Sequence, residues 1–399
     1  MENDDPIEVR MGTFFVVMGM GIFLLFVVSD VADKVQFDYF FLAMILLGIG
    51  YYFRRKKARP QAANRFSWLK SAWTKMRAGR GKGGGGGEGK DKKDNQISRM
   101  SKLMSLKKAI ADFVNDGDAL YAAGFTHLIP FAAGHEIIRQ GKKHLTLARA
   151  TPDLIYDQMV AAGCAKKVVF SYMGNPGVGS LRIVRGAIER GELEWEEYSH
   201  FGMITRLQAG ASGLPFLPMN QTGAEDLEKV NPQIKRIADP YGGKDVIVVP
   251  ALNPDVAIVH VQRADKHGNA HLWGIIGEQK EAAFAAKKVI LTAEEIVDES
   301  VIRSDPNRTM IPGIVVSAVC HAPFASHPSY SQGYYDRDNE FYLAWDKISE
   351  SKELTQKYLD EWVFGVKDRA AYWKKLGEKT HKRLKVKAQY SEKINYGKY

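Results

Sequence analysis

The stretch ALYAAGFTHLIPFAAGHEIIR, residues 119–139, holds the pattern that decides the fold. Its first residues, 119–123, form an apolar run typical of a buried strand, and residues 131–139 have the apolar spacing of a helix. Between them lies Gly124, and a glycine in a turn lets the backbone approach a ligand closely. A strand, a turn and a helix in this order predict an α/β domain.

The same alternation recurs on both sides of this stretch. The predicted strands are residues 119–123, 145–148, 167–172, 246–249, 256–262, 289–292 and 314–319. The predicted helices are residues 103–114, 131–139, 152–162, 180–190, 200–211 and 278–286. Strands that are apolar on both faces and alternate with helices indicate a largely parallel sheet covered by helices. A ligand is therefore expected beyond the carboxyl ends of the strands.

Two further strand-to-helix turns hold candidate binding residues. The segment MGNPGVGS, residues 173–180, precedes a helix, so its backbone amides and the helix N-terminus could hold a phosphate or a carboxylate. The alternative is a tight turn without a ligand. Farther along, Ser199 and His200 enter an apolar helix and could face a pocket, although Ser199 as a helix N-cap is the simpler interpretation.

Other titratable residues do not form a recognisable site. His267 and His271 are separated by Gly268 and Asn269, which is typical of a turn and not of one helix face, so no metal site is predicted. No Ser/His/Asp order or carboxylate pair can be assembled from spacing alone. The two cysteines cannot supply a disulfide framework, which favours a reducing compartment.

The positive charge of the chain lies in one segment. The net charge is +10, and residues 54–94 contain 14 basic and 3 acidic residues, so the rest of the chain is close to neutral. A neutral main domain has no basic excess with which to neutralise a phosphate backbone. No nucleic-acid partner is therefore expected.

The N-terminal part predicts a transmembrane hairpin, residues 1–57. Residues 11–29 form an uncharged run of 19 residues, and residues 37–53 form a second apolar run followed directly by four basic residues. The positive-inside rule then predicts a multi-pass protein of the cytoplasmic membrane with two spans, its N-terminus and catalytic domain cytoplasmic, and the lipid bilayer as a partner. The alternatives are a signal peptide and a buried hydrophobic hairpin of a soluble domain.

A linker is predicted to follow the hairpin. Residues 58–96 are basic and rich in glycine, with apolar residues spaced as in an interfacial helix near their start. Residues 84–90 imitate a phosphate-binding loop, but Asp91 occupies the position of the magnesium-binding hydroxyl. The α/β domain is assigned to residues 97–399.

Taken together, the motifs of residues 101–387 resemble the A (alpha) chain type of family I CoA-transferases, most like that of glutaconate CoA-transferase. The resemblance rests on the segments SKLMSLKKAIADFVNDGD, HEIIRQGKKHLT, GELEWEEYS, LQAGASGLPFLP, DVAIVHVQRADKHGNAHLWG, HAPFASHPS, YYDRDNEF and DEWVFGVKD. It implies transfer of coenzyme A between an acyl-CoA thioester and a carboxylate acceptor, with the thioester as a substrate and no tightly bound cofactor. The nucleophile would be a glutamate of a B subunit, within a Ser-Glu-Asn-Gly type segment that does not occur in this sequence. The chain alone is then expected to be inactive.

What this chain would contribute is the acyl pocket and part of the CoA surface. The positions that match are Gly124, Phe125, Thr126, Asn175, Gly177 and Gly179, with Ser199 and His200 as possible catalytic residues. Glu225 and Glu278 stand near glycine-containing loops and are interpreted as surface or turn residues. One departure is Ala123, where the family usually has the first glycine of Gly-Gly-Phe.

Two alternative functions remain open. Some relatives are ring-opening hydrolases of steroid-derived CoA thioesters, and the resemblance implies that these use an A-subunit glutamate near the position of His200. A histidine at this position favours transfer, although histidine can also act as a base near neutral pH. The other alternative is an inactive membrane scaffold that keeps the fold and binds a partner without turnover.

Overall fold

The computed structural model describes residues 7–31, 37–54, 101–174, 179–219 and 225–386. The chain divides into two compact units, Met1–Gly86 and Gly87–Tyr399. The predicted linker, residues 58–96, lies outside the described residues.

The first unit contains two helices, α1 (Ile7–Val31) and α2 (Phe37–Arg54). They pack through aromatic side chains, with the ring centroids of Phe26 and Phe40 5.3 Å apart. A Cβ atom at Gly19 would lie 2.9 Å from Cγ of Leu47, so this glycine permits the close approach of the two helices. Both helices occur where the sequence predicted apolar helical runs.

The prediction of a membrane location is wrong. Across the described parts of the chain, no helix combines the length and the apolar character that crossing a membrane requires. Helix α2 has 18 residues, with Asp38 in its first turn, and at 1.5 Å per residue it rises only about 27 Å, short of a hydrocarbon core of roughly 30 Å. The two predicted transmembrane spans and the lipid bilayer as a partner therefore have no support.

The second unit alternates strands and helices. Its helices are α3 (Leu106–Phe113), α4 (Phe131–Arg139), α5 (Leu154–Ala161), α6 (Arg182–Glu189), α7 (His200–Ala211), α8 (Glu225–Val230), α9 (Gln279–Ala285), α10 (Glu299–Ser304), α11 (Asn339–Ile348), α12 (Lys352–Tyr358) and α13 (Arg369–Leu384). Its strands are β1 (Ala119–Ala122), β2 (Leu145–Ala148), β3 (Ala165–Phe170), β4 (Glu194–Glu197), β5 (Phe216–Met219), β6 (Lys235–Ile237), β7 (Val246–Pro250), β8 (Val256–Ala264), β9 (Ala270–His271), β10 (Lys288–Ile296), β11 (Thr309–Ile311) and β12 (Ala318–His321).

Seven of these strands form a parallel sheet in the order β12-β10-β8-β1-β2-β3-β4. Strand β1 lies at its centre, where Tyr121 is paired with Ala148 on one side and with Ala257 on the other. The short strands β9 and β11 extend the sheet antiparallel from β8, and β5, β7 and β6 form a separate antiparallel sheet. The predicted largely parallel sheet is confirmed.

Helices cover both faces of the large sheet. Along β1, Leu120 belongs to one hydrophobic core cluster and Tyr121 to the other, because successive side chains of a strand point to opposite faces. The first cluster also includes Ile155 of α5, and the second includes Leu207 of α7. The predicted strand at residues 314–319 is displaced, since Gly313–Val315 is a single 3-10 turn and β12 begins only at Ala318.

Candidate active site

The turn that follows β1 has an unusual backbone. Gly124, Thr126 and Leu128 have φ values of +134°, +56° and +56°, and only glycine adopts such a conformation at low cost. At Gly124 a Cβ atom would lie 2.8 Å from the carbonyl oxygen of His127. Glycine is therefore required at this position, as the sequence suggested.

Contacts from distant segments hold the turn in this conformation. Ser329 Oγ donates to the carbonyl oxygen of Thr126 at 2.8 Å, and the backbone amide of Leu128 donates to the carbonyl of Tyr330 at 3.0 Å. A Cβ atom at Gly277 would lie 2.6 Å from Cβ of Phe125, so the segment before α9 packs directly on the turn. These contacts place Phe125 half-buried and Thr126 exposed at the carboxyl edge of the sheet.

His127 is a structural residue of this turn. Its Nε2 accepts from the backbone amide of Gln332 at 3.0 Å, so Nδ1 carries the proton and donates to the carbonyl of Ile275 at 3.0 Å. Burial lowers the pKa of His127 to about 4, against the hydrogen bond to Ile275. The imidazole is thus neutral at pH 7.

A buried charged group lies beneath the turn. Arg149 follows β2 directly, is 1% exposed, and donates to the carbonyl of Ala122 at 3.2 Å and to the carbonyl of Gly124. Tyr121 Oη donates to Oε1 of Glu278 at 3.0 Å. Burial raises the pKa of Glu278, while the positive charge of Arg149 opposes that rise. The interpretation of Glu278 as a surface or turn residue is wrong, because this side chain is buried at the strand ends.

His200, the first residue of α7, contacts the ends of two other strands. Its Nδ1 lies 2.8 Å from Oγ of Ser171, which follows β3, and its Nε2 lies 2.8 Å from Oγ1 of Thr151, which comes shortly after β2. The rings of His200 and Phe125 meet edge to face with centroids 6.1 Å apart. Ser199 caps the helix, because its Oγ accepts from the amide of Gly202 at 2.9 Å.

These contacts show which predicted site residues the fold brings together. Phe125 and His200 are adjacent, whereas Gly179 lies elsewhere in contact with α11: a Cβ atom there would be 2.9 Å from Oδ1 of Asp346. Asn175 and Gly177 lie outside the described residues. The binding roles of these positions stay predictions.

Sequence reasoning missed Arg149, Thr151 and Ser171. A signal was present, because each lies within three residues of the carboxyl end of a strand in a parallel sheet, which is where ligands bind. Metal ligands are a separate matter. Among the described residues, no group of three or more His, Cys, Asp or Glu side chains could hold a metal ion. His271 is buried, with its Nε2 3.1 Å from the carbonyl oxygen of Ile302.

Residues 103–322 match the sequence profile of the family described as Coenzyme A transferase. Because the match covers more than half of the 399 residues, the chain belongs to this family. The predicted enzyme class is confirmed.

Particular relatives are the A subunits of CoA-transferases. That of the 3-oxoadipate CoA-transferase of Pseudomonas knackmussii is 51% identical over 282 residues, which are 70% of this chain and 99% of the relative. That of the glutaconate CoA-transferase of Acidaminococcus fermentans is 39% identical over 305 residues, which are 72% of this chain and 95% of the relative. The crystal structure of that glutaconate enzyme superposes with a TM-score of 0.67 at 38% identity, covering 72% of this chain and 96% of the other.

A hydrolase is also similar to this chain. The cholesterol ring-cleaving hydrolase IpdA subunit of Rhodococcus jostii is 26% identical over 287 residues, which are 68% of this chain and 95% of the relative.

Proposed function

We propose that this chain is the A (alpha) component of a two-subunit CoA-transferase that exchanges coenzyme A between a dicarboxylic acyl-CoA and a carboxylate acceptor. The observation that carries the proposal is the similarity to the corresponding component of a 3-oxoadipate CoA-transferase, at 51% identity over 99% of that relative. Glutaconate, the substrate named for the second relative, is also a dicarboxylic acid. Coenzyme A thioester is then the substrate, and no tightly bound cofactor takes part.

The carboxyl edge of the sheet supports a role in binding the acyl group. The turn from Gly124 to Thr126 presents Phe125 and Thr126 to solvent beside His200, and buried contacts hold it in place, so little reorganisation is needed when a substrate binds. The candidate CoA-binding residues Asn175, Gly177 and Gly179 belong to the neighbouring loop after β3.

The nucleophile comes from a partner in this proposal. Glu278 is the carboxyl group bonded to the strand ends, but it is 3% exposed and accepts from Tyr121, so it is not accessible to a thioester. A glutamate of a B subunit would attack the thioester carbonyl and release CoA thiolate, giving a mixed anhydride. Glutamyl-CoA then forms and transfers CoA to the acceptor, which divides a difficult exchange into easier covalent steps.

The test uses the full chain co-purified with its partner. The complex is incubated with CoA thioesters of dicarboxylic and monocarboxylic acids, reduced with borohydride, and mapped by peptide mass. A reduced glutamate on the partner, formed with dicarboxylic thioesters, is the expected result. The chain without its partner is the control and should yield no reduced glutamate.

Two other outcomes would replace the proposal. Loss of thioester by the complex without a modified glutamate would favour the hydrolase reaction, for which the IpdA similarity is a motive. Binding of the partner without any turnover would favour the scaffold.

A further inference from the structure

Three side chains from three different segments form a continuous hydrogen-bonded chain at the carboxyl edge. Thr151, Ser171 and His200 are separated by up to 49 residues in sequence. Both imidazole nitrogens of His200 are engaged, each at 2.8 Å from a hydroxyl oxygen. Such a geometry, with a base oriented on one side and a hydroxyl held on the other, is the arrangement that activates hydroxyl nucleophiles.

The direction of each hydrogen bond follows from the position of one proton. Ser171 Oγ donates its only hydrogen to the carbonyl oxygen of Ala150. It can therefore only accept from His200, which places the imidazole proton on Nδ1. Nε2 is left with a lone pair, and Thr151 Oγ1 donates its hydrogen to that nitrogen. His200 thus stands as the proton acceptor of the Thr151 hydroxyl.

The surroundings keep His200 neutral and leave the pair accessible. Burial lowers the pKa of His200 below its ordinary value of 6.5, and the positive end of the helix dipole at the first residue of α7 acts in the same direction. His200 is nevertheless exposed and Thr151 is half-buried. An acyl group that reaches Phe125 therefore lies beside both residues.

We propose that Thr151 is a nucleophile activated by His200, and that it gives this chain a thioesterase activity independent of any partner glutamate. Oγ1 of Thr151 attacks the thioester carbonyl carbon while Nε2 of His200 takes the hydroxyl proton. The C–S bond breaks, and Nε2 returns the proton to the departing sulfur, which leaves CoA as a thiol and the acyl group as an ester of Thr151. Water then attacks the ester with His200 again as base, which releases the carboxylic acid and restores the hydroxyl. Ser171 is a positioning residue that holds the imidazole in the required tautomer.

The inference rests on the proposed function for one point, that an acyl-CoA binds at this edge. The test separates the two by measuring the full chain alone and the complex in parallel. Thiol release from a dicarboxylic acyl-CoA is followed with a thiol reagent, and acid-quenched samples are searched for an acylated Thr151 peptide. CoA transfer by the complex with borohydride-trapped glutamate is scored separately, so transfer without acyl-Thr151 overturns only the present inference.

The variants are chosen to keep shape and remove chemistry. Thr151→Val should lower thiol release by the chain alone at least about 100-fold, Thr151→Ser should retain it, and His200→Gln, which accepts a hydrogen bond but cannot take a proton, should lower it about as much as Thr151→Val. The matched controls Thr146→Val, within β2, and His144→Gln, exposed at the opposite end of that strand, should leave it unchanged.

Three results would overturn the proposal. They are no thiol release by the chain alone, equal release by wild type and Thr151→Val, and release without an acylated Thr151 peptide. In wild type the acid limb of the pH profile should have its midpoint below 6.5, as the lowered pKa of His200 requires. Ser171→Ala should move that midpoint because the imidazole loses its hydrogen-bond acceptor. An unchanged profile in Ser171→Ala would contradict the positioning role.

Discussion

Replacing Arg149 with methionine removes the buried guanidinium that lies beneath the turn after β1. The side chain is 1% exposed and donates to the backbone carbonyls of Ala122 and Gly124. Methionine fills a similar volume but donates no hydrogen bond. Two buried carbonyl oxygens therefore lose their charged donor, and the positive charge near Glu278 is lost as well.

The magnitude follows from these contacts. A hydrogen bond from a charged donor contributes about 1.5–3 kcal/mol, and the bond to Ala122, at 3.2 Å, belongs at the lower end of that range. The two bonds together stabilise the fold by about 3–5 kcal/mol, and relief of the cost of burying the guanidinium returns part of this. We expect Arg149→Met to lower the free energy of unfolding by about 2–4 kcal/mol. Arg149→Lys, which keeps the charge but not the fork, should lose less.

Urea unfolding followed by tryptophan fluorescence measures this difference. The matched control is Arg190→Met, because Arg190 is half exposed and pairs only with the exposed Glu192. Its stability should match wild type. If Arg149→Met were as stable as Arg190→Met, the two carbonyl contacts would not hold the turn, and the reasoning would be refuted. In the reconstituted complex, Arg149→Met should also raise KM for acyl-CoA, since the Gly124 turn loses its support.

Three further predictions concern groups near the strand ends. Gly124→Ala places a methyl group 2.8 Å from the carbonyl of His127 at φ +134° and should cost about 1–3 kcal/mol, so an unchanged melting temperature would contradict it. Burial opposes ionisation of Asp338, but the hydrogen bond from His327 and other partners lower its pKa to about 2; the stability it contributes is complete above its unfolded pKa of about 4 and is lost as pH falls toward 2. Asp338→Asn should therefore flatten the unfolding free energy over that range, and parallel curves would refute this. Because burial raises the pKa of Glu278, its folded form binds the proton more tightly and its contribution falls as pH rises above about 4.5; Glu278→Gln should gain stability relative to wild type between pH 5 and pH 8, as unfolding curves at the two pH values would test.

Much of the fold could be predicted because it depends on local periodicity. The apolar runs that became β1, β2, β7 and β8 were predicted at nearly their observed positions. Strand β4 was missed, since its sequence is Glu-Trp-Glu-Glu and it pairs only with β3 at the edge of the sheet. An edge strand exposed to solvent needs no apolar run. The N-terminal helices were predicted, but the membrane location inferred from them was wrong.

The candidate site could be predicted only in part. Gly124, Phe125 and His200 were chosen from their places at turns and by resemblance, and the fold brings Phe125 and His200 together. The burial of Glu278 could not be read from its neighbours, because Tyr121, its partner, is 157 residues away in sequence.

The sequence by itself determined the order of strands and helices, the parallel character of the sheet and the membership in the CoA-transferase family, because periodicity, turn residues and motifs are written in consecutive residues. The tertiary structure alone decided which turns meet. Thr151, Ser171 and His200 converge because β2, β3 and β4 are neighbours in the parallel sheet, so their carboxyl ends meet at one edge. Strand order is set by burial of the whole core, and no single segment of the sequence encodes it.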